Sequence, residues 1–385
     1  MSPELIFLTG ATGYIGSYLV DEFRRESDAR LALLVRADSI AAAEQRLWKS
    51  LQLHMPFDVF LPFVRSRVEI VLGDLTADNL GLSDERWTDL AHRIDSVLHC
   101  AASLNRKSSK ACFNVNLRGT LSIIRLAREA QDHHGLRRFS DISTVAVVGK
   151  RTHQCVNEED IVDWAISDFD PYSRTKKFCE HMVHELLPDV QTTVFRPSTV
   201  LGDSRFAETT QFDMVRAFVM LARFPVLPLS SSSRIDIVPV NYVAKAAASV
   251  HLDPAPKYDS YNLSSGMGSL TYDTIVDAMK SAGFPKRRKP RFVPALARPF
   301  GAVVEQLSNT PRELGISLPA SLFKVFLPYL TFDVVFDNSR IVEHLGESPV
   351  PFSDYCFDLF EFAERDGFTY TYTPWPDGVD ARVAA

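Results

Sequence analysis

The chain has 385 residues and a formal net charge of −6, and 46% of its residues are hydrophobic. That length suffices for one large domain or two ordinary ones, and the composition is typical of a soluble globular enzyme. The acidic balance argues against nucleic acid as the main partner, because proteins that bind phosphate backbones usually carry a basic excess. The five cysteines include no C-x-x-C pair, so we expect neither a zinc site nor a disulfide framework, in keeping with a reducing cytoplasm.

The N-terminal residues "MSPELIFLTG" lack the basic region and the long apolar run of a signal peptide. No stretch approaches the roughly 20 apolar residues that a membrane span needs. The largely apolar stretch at 321–336, "SLFKVFLPYLTFDVVF", is interrupted by a lysine, a proline and an aspartate. We therefore expect a chain without a membrane span, in which this stretch is buried or lines a substrate pocket.

The first half of the chain alternates predicted strands with predicted helices. The predicted strands are ELIFLT (4–9), LALLV (31–35), VEIVLG (68–73), SVLHCA (96–101), RRFSDIS (137–143) and QTTVFRP (191–197). Helices are expected at 14–27, 40–53, 117–131 and from about residue 171. Strands that alternate with helices build βαβ units. The predicted fold class is therefore a doubly wound, Rossmann-type parallel α/β sheet, with a smaller, mostly helical C-terminal substrate lobe.

The alternation is lost after Gly202, where proline and phenylalanine become more frequent. Within this half, "RIDIVPVNYVAKAAASVHL" (234–252) predicts a short strand and a helix that return to the sheet. We expect residues 1–202 and 236–264 to form a dinucleotide-binding domain, and residues 203–235 and 265–374 to form the lobe. Residues 375–385 are expected to be a flexible tail.

Three glycines follow the first predicted strand directly, in "LTGATGYIG" (8–16). Such a loop alone is weak evidence of function, but a strand before it and a helix after it are the context of a dinucleotide-binding loop. Gly10 permits the tight turn, Gly13 the approach of a pyrophosphate and Gly16 close packing of the helix on the sheet. The helix N-terminus attracts an anion. The residues expected to contact the cofactor here are Gly10, Thr12, Gly13, Tyr14, Ile15 and Gly16.

The end of the second predicted strand indicates which dinucleotide binds. NAD enzymes usually place an acid there, which accepts hydrogen bonds from the ribose 2′-hydroxyl. This chain has Arg36, whose guanidinium suits a 2′-phosphate, and Arg46 on the following helix is expected to assist. Asp38 is better placed to cap that helix. We therefore expect NADPH rather than NADH; the alternative is that Arg36 is only a surface charge.

The ends of later strands add further candidate cofactor contacts. Asp74 and Leu75 follow the third predicted strand, where they either edge the adenine or form an ordinary turn. Ala101 and Ala102 follow the fourth, and small residues there let the cofactor backbone pass. Asn116 is expected to anchor a water molecule on the proton path.

The segment "YSRTKK" places Tyr172 and Lys176 four residues apart at the start of a predicted helix, and therefore on one helical face. A free tyrosine has a pKa near 10, and a neighbouring ammonium group is expected to lower it. Tyr172 is then the predicted general acid, with Lys176 also binding the ribose hydroxyls. The hydroxyl of Thr144, or less well that of Ser143, is expected to hold the substrate carbonyl oxygen.

These motifs resemble the extended short-chain dehydrogenases/reductases, in which "TGATGYIG" is the glycine pattern and "YSRTK" the catalytic helix. The resemblance covers roughly Glu4 to Leu263 and aligns Thr144 with the catalytic serine or threonine of that family. A narrower resemblance is to the thioester reductases, which include terminal reductase domains of peptide synthetases, carboxylic acid reductases and fatty acyl-CoA reductases. Its segments are "LVRADSIAAAEQRL", "ISTVAV", "FRPSTVLGDS" and "IDIVPVNYVAKA".

This narrower resemblance implies that Arg36 meets the 2′-phosphate and that Pro197 and Ser198 lie beside the nicotinamide. It also implies NADPH-dependent reduction of an acyl thioester to an aldehyde, with further reduction to the alcohol left open. Because the chain begins a few residues before its first strand, we expect it to stand alone and to receive acyl-CoA or an acyl group on a separate carrier protein. The alternatives are an extended reductase of a ketone or sterol-like carbonyl, and an NADPH-sensing regulator without turnover.

Two features of the lobe have both a functional and an ordinary interpretation. Phe323, Phe326 and Phe332 are either walls of an acyl pocket or simply core residues. The basic cluster "KRRKPR" (286–291) either meets the phosphates of CoA or an acidic carrier protein, or is a solvated loop. No metal site is predicted.

Overall fold

A computed structural model describes residues 3–283, 289–308, 324, 327 and 329–380. Its strands are β1 (Leu5–Thr9), β2 (Arg30–Val35), β3 (Val68–Leu72), β4 (Ser96–His99), β5 (Arg138–Ile142), β6 (Gln154–Val156), β7 (Thr192–Pro197), β8 (Thr199–Val200), β9 (Val226–Leu227), β10 (Arg234–Ile235), β11 (Ile237–Val238), β12 (Ser260–Leu263), β13 (Leu270–Thr271), β14 (Arg291–Phe292) and β15 (Val334–Phe336). Its helices are α1 (Tyr14–Glu26), α2 (Ile40–Leu51), α3 (Phe57–Arg67), α4 (Asp84–Ala91), α5 (Ser109–Cys112), α6 (Gly119–His134), α7 (Pro171–Leu186), α8 (Asp213–Ala222), α9 (Val240–Leu252), α10 (Tyr272–Ser281), α11 (Ala297–Ser308), α12 (Ser339–Leu345) and α13 (Cys356–Arg365).

Seven strands form one parallel sheet in the order β12-β7-β5-β4-β1-β2-β3. Strands such as β1 and β5 are buried along their whole length, because helices cover both faces of the sheet. The chain runs outward in opposite directions from β1 and β4, so a crevice opens above their carboxyl ends, where ligands of such folds bind. The predicted doubly wound α/β fold is confirmed.

The strand predicted at 234–238 does not return to this sheet. Instead, β10 pairs antiparallel with β13, and β11 pairs parallel with β8. The edge strand is β12, beside β7. Strand β12 is only four residues long and its sequence SYNL shows little alternating or apolar pattern, whereas "RIDIV" at 234–238 alternates charged and apolar residues as a strand does.

The lobe has an apolar core of its own. Side chains from α8, α10 and α13 build it, among them Phe218, Ile275 and Phe360. Further along the chain, Ile341 of α12 packs in the core beneath the main sheet. The division into a dinucleotide domain and a two-part lobe stays a prediction, and α12 joins the sheet side of that division.

Two kinds of feature are absent from the part of the chain that the structure describes. Across the described ranges, no helix combines the length and the apolar character that crossing a membrane requires. Within the same ranges, no group of three or more His, Cys, Asp or Glu side chains is arranged to hold a metal ion.

Part of the predicted tail packs on the body of the protein. The ring of Trp375 lies edge-on to Phe57 of α3, with centroids 5.0 Å apart. The indole N–H of Trp48 donates to the carbonyl oxygen of Thr373 at 3.1 Å. Thr373 therefore contacts α2 and Trp375 packs on α3, while residues 381–385 lie outside the described residues.

We predict that Trp375→Ala lowers the free energy of unfolding by about 2 kcal/mol, because it removes a half-buried aromatic ring from this contact. The matched control is Trp164→Ala, since the Trp164 ring is 53% exposed and its loss is expected to cost less than about 1 kcal/mol. Chemical denaturation of both variants measures the difference. Equal losses in the two variants would mean that Trp375 does not pack on α3 in solution.

Candidate active site

A cavity of about 660 Å³ lies above the carboxyl ends of the central strands. It brings together all of the predicted site residues except Lys176 and Asn116. The predicted residues that line it are Gly10, Thr12, Gly13, Tyr14, Ile15, Gly16, Arg36, Arg46, Asp74, Leu75, Ala101, Ala102, Thr144, Tyr172, Pro197 and Ser198. Residues separated by nearly 190 positions in the chain thus share one cavity, because parallel strands end at the same edge of the sheet.

The glycine loop forms a cradle that leaves no room for side chains. Gly10 has φ +80°, and a Cβ there would lie 2.8 Å from the backbone nitrogen of Ala101. A Cβ at Gly16 would overlap the carbonyl oxygen of Gly10. Gly13 starts α1 with no side-chain cap, so amide N–H groups at this helix end are available to a ligand. This cradle fits the pyrophosphate of a nicotinamide dinucleotide.

Two guanidinium groups and one carboxylate lie at the β2–β3 end of the cavity. The side chain of Arg36 is 70% exposed, and its Nη1 lies 3.6 Å from Oδ2 of Asp74. Arg46 donates from Nη1 to the carbonyl oxygen of Arg36 at 2.9 Å. The pKa of Asp74 is lowered, first by the backbone N–H of Thr76, so this carboxylate is charged at neutral pH. Arg36 is thus lightly held and can turn towards a ligand.

Thr144 and Ser143 both line the cavity, but their hydroxyls are engaged differently. The Ser143 hydroxyl donates to Oε1 of Glu180, a buried residue of α7. The Thr144 hydroxyl accepts from the backbone N–H of Ala146 at 3.2 Å, so its own proton is not used in that bond. Of the two, Thr144 is therefore better able to donate to a ligand.

Tyr172 lies in the first turn of α7, which begins with a capping box. The carboxylate of Asp170 accepts from the backbone N–H of Ser173 at 2.8 Å, and Pro171 occupies the first helical position. Burial raises the pKa of the Tyr172 phenol above its usual value, while Arg106 and Lys176 oppose that rise. The predicted net lowering is therefore wrong in direction, because desolvation outweighs the cations. A phenol that stays protonated at neutral pH can still donate a proton.

Lys176 is buried one helical turn after Tyr172 and forms an ion pair with Asp141 of β5. Its Nζ lies 3.3 and 3.2 Å from the two carboxylate oxygens. Burial alone lowers the pKa of Lys176, but the Asp141 carboxylate leads the opposing effects that raise it above its ordinary value. Lys176 does not line the cavity, so its contact with ribose hydroxyls stays a prediction. The sequence carried no specific signal for this pairing, because the predicted strand RRFSDIS contains two arginines as well as the aspartate.

Asn116 also lies outside the cavity, in the turn of π-helix that joins α5 to α6. Its Oδ1 accepts from the backbone N–H of Ser103 at 2.7 Å, and its Nδ2 donates to Oγ1 of Thr175 at 3.0 Å. Asn116 thereby connects the loop after β4 with α7. Its role in a proton path stays a prediction.

The other end of the cavity reaches the lobe, which contributes Gln211, Met214, Phe332 and Phe336 to its walls. Phe332 is thus a wall residue as well as part of a small apolar cluster. Phe323 and Phe326 lie outside the described residues, as do residues 286–288 of the basic cluster. From that cluster, Lys289 pairs with Asp273 and Asp277 of α10, at 2.8 and 2.7 Å.

Four other residues at or beside the cavity received no role from the sequence patterns. Three of them, Arg106, Asp170 and Tyr329, form a polar cluster beside Tyr172. The fourth, Asp236, lines the cavity with Ser198, and burial raises the pKa of its carboxyl to about 6. Each comes from a different segment of the chain, and only Asp236 lies in a segment that the resemblance singled out, "IDIVPVNYVAKA".

Comparisons with known proteins place the chain in a family. A family model described as male sterility protein matches residues 8–247. The isonitrile lipopeptide synthase of Mycobacterium tuberculosis is 31% identical over 347 residues, which is 81% of this chain but 14% of that protein. The L-2-aminoadipate reductase of Schizosaccharomyces pombe is 25% identical over 66% of this chain and 18% of its own length. This chain therefore spans a small part of the curated relatives.

Two solved structures show the same fold. The terminal R domain from the myxalamid PKS-NRPS biosynthetic pathway superposes with a TM-score of 0.80 at 24% identity, covering 96% of this chain and 92% of that one. The reductase domain of a nonribosomal peptide synthetase from Mycobacterium tuberculosis superposes with a TM-score of 0.72 at 23% identity, covering 95% and 93%. With its family model matched over more than half of its length, the chain belongs to the male sterility protein family, within the NAD(P)-dependent extended short-chain dehydrogenases/reductases.

Proposed function

We propose that this protein uses NADPH to reduce an acyl thioester to an aldehyde and a free thiol. The observation that carries the proposal is that Thr144 and Tyr172 line the same cavity as the glycine cradle. Relatives that include an aminoadipate reductase and reductase domains of peptide synthetases support the thioester as substrate. The acyl group arrives on coenzyme A or on a carrier protein.

The residues of the cavity divide the chemistry between them. When bound, the reduced nicotinamide supplies a hydride to the carbonyl carbon of the thioester. Thr144 donates a hydrogen bond to the carbonyl oxygen, and the Tyr172 phenol transfers its proton to that oxygen as charge develops, which produces a hemithioacetal. Its C–S bond then breaks, the hydroxyl proton passes to the sulfur, and the aldehyde and the thiol leave. One proton from solvent restores the phenol.

Incubation of the protein with NADPH and a panel of thioesters tests this proposal. The thioesters are acyl-CoAs and acyl groups on a carrier protein, free ketones and free aldehydes serve as comparison substrates, and both NADPH absorbance and free thiol are followed. We expect NADPH loss matched by thiol release. Turnover of ketones without any thioester would instead identify a carbonyl reductase, and NADPH binding with no turnover would identify a sensor.

Replacement of Tyr172 by Phe is expected to lower kcat by at least about 100-fold, because the proton donor is lost while the ring remains. The KM for NADPH should change little. Tyr242→Phe is the matched control, since Tyr242 lies on α9 and donates to the carbonyl oxygen of Glu347. Steady-state kinetics of the two variants decide; a Tyr172→Phe protein with near wild-type kcat would remove the phenol from the mechanism.

Arg36 and Arg46 support NADPH as the cofactor, since both guanidinium groups line the β2–β3 end of the cavity. We predict that Arg36→Ala raises the KM for NADPH by about 10-fold or more and leaves the KM for NADH unchanged, because charge-assisted bonds to the 2′-phosphate are lost. Arg30→Ala is the matched control, at the opposite, exposed end of β2. Equal effects of Arg36→Ala on both cofactors would contradict recognition of the 2′-phosphate.

The ion pair between Lys176 and Asp141 predicts a large effect of Asp141→Asn. Removal of the carboxylate leaves a buried ammonium without its partner, which is expected to cost about 3 kcal/mol of unfolding free energy at neutral pH. Asp89→Asn is the control, because Asp89 is 62% exposed in its pair with Arg93 and should cost less than about 1 kcal/mol.

The pH dependence of this loss follows from the raised pKa of Lys176. A raised folded-state pKa stabilises the protein fully below the ordinary lysine value of about 10.4, and this contribution is lost as pH rises through the folded-state value. The difference between wild type and Asp141→Asn should therefore be largest at neutral pH and shrink in strong alkali. Denaturation at a series of pH values measures it, and a difference that stays constant with pH contradicts the ion pair.

A further inference from the structure

The guanidinium group of Arg106 lies between two tyrosine rings at the cavity wall. Its central carbon is 4.5 Å from the ring centroid of Tyr172 and 4.4 Å from that of Tyr329. All three residues line the cavity, and Arg106 comes from the loop after β4. At these distances a cation is attracted to both ring faces. The ring of the predicted proton donor is thus packed against a fixed cation.

Asp170 holds this arrangement from the start of α7. Arg106 donates from Nη1 to Oδ2 of Asp170 at 2.9 Å, and the Tyr329 hydroxyl donates to the same oxygen at 2.7 Å. The other carboxylate oxygen of Asp170 caps α7 through Ser173. The side chains of Arg106 and Asp170 are only 17% and 13% exposed, so their pairing is little screened by water. One carboxylate therefore joins the loop after β4, the catalytic helix and the segment that carries Tyr329.

We propose that Arg106 is a positioning residue for Tyr172: held by Asp170 and packed between two rings, its guanidinium orients the phenol in the cavity and favours loss of the phenol proton. This inference rests on the proposed role of Tyr172 as proton donor. None of the predicted motifs contains Arg106. Among the described residues, neither Thr144 nor Lys176 makes a comparable contact with the Tyr172 ring.

The groups that act on the Tyr172 phenol come from the loop after β4, the residues that follow β5, and the start of α7. Burial raises its pKa, and Asp170 adds to that rise. Arg106 is the strongest opposing influence, followed by Lys176 and then by the Thr144 hydroxyl. Loss of Arg106 removes the largest counterweight to burial, so the phenol would hold its proton more tightly. Proton transfer to the substrate oxygen would then be slower.

Two substitutions of Arg106 separate the effect of its charge from the effect of its packing. The matched control is Arg174→Met, because Arg174 lies on α7 with Tyr172 and its side chain is 63% exposed. Arg106→Met removes the cation and keeps an apolar side chain of similar length. Arg106→Lys keeps a cation but loses the planar group that packs between the rings. Tyrosine labelled with carbon-13 at the ring carbon that bears oxygen reports the titration of each phenol by NMR, and Tyr172→Phe assigns the Tyr172 resonance.

We expect Arg106→Met to raise the titration midpoint of Tyr172 by about one pH unit and to lower kcat by about 30-fold, with the KM for NADPH unchanged. Arg106→Lys should keep a midpoint near that of wild type and still lose about tenfold in kcat. Arg174→Met should change neither quantity. Thermal unfolding and NADPH binding verify that each variant is folded, and Arg106→Lys carries the test if Arg106→Met does not fold.

An unchanged midpoint in folded Arg106→Met, or a wild-type kcat in Arg106→Lys, would overturn the proposal. A purely structural role lowers kcat at every pH without moving the phenol titration, and the NMR measurement separates the two. The titration uses no substrate, so it remains informative even if no thioester is reduced. In that event the proposed function fails while the positioning of the phenol by Arg106 is still decided.

Discussion

The site depends on two charged pairs removed from water beside one phenol. Lys176 pairs with Asp141 on the side of β5, and Arg106 pairs with Asp170 on the side of the loop after β4. Burial of a tyrosine by itself makes its proton harder to remove, and two nearby cations offset part of that effect. Each cation is itself kept in a poorly solvated place by a carboxylate. The phenol is therefore held protonated but ready to donate, provided that both pairs stay intact.

The parallel sheet explains why these groups meet. The carboxyl ends of β1, β4, β5 and β7 lie along one edge, and the order of strands reverses between β1 and β4. The glycine cradle sits at this reversal, with the backbone at Gly10 packed directly against that at Ala101. The cavity extends from the cradle along the strand ends, with Arg36 in its wall on one side and Thr144 and Tyr172 on the other. The lobe closes the far wall with apolar side chains such as Met214 and Phe336.

Much of this could be predicted from sequence because the signals are local. The glycine loop, the apolar strands and the Tyr172–Lys176 spacing each occupy a short segment, and the structure places them in the predicted elements. The partners of those residues were not predictable in the same way. Asp141 and Arg106 are ordinary residues until folding brings them within a few ångströms of α7, and Tyr329 is 157 positions from Tyr172 in the numbering. The net direction of the Tyr172 pKa was missed for the same reason, since burial is a property of the folded chain.

The measurement that bears most directly on the central claim is a crystal structure of the protein with NADP⁺ and an unreactive thioester analogue. We predict that the Tyr172 phenol oxygen lies within about 3 Å of the analogue's carbonyl oxygen, on the same side of the nicotinamide as Thr144. Arg106 should remain packed on the Tyr172 ring in that complex. A phenol turned away from the carbonyl oxygen, with neither Tyr172 nor Thr144 in hydrogen-bond reach of it, would contradict the account.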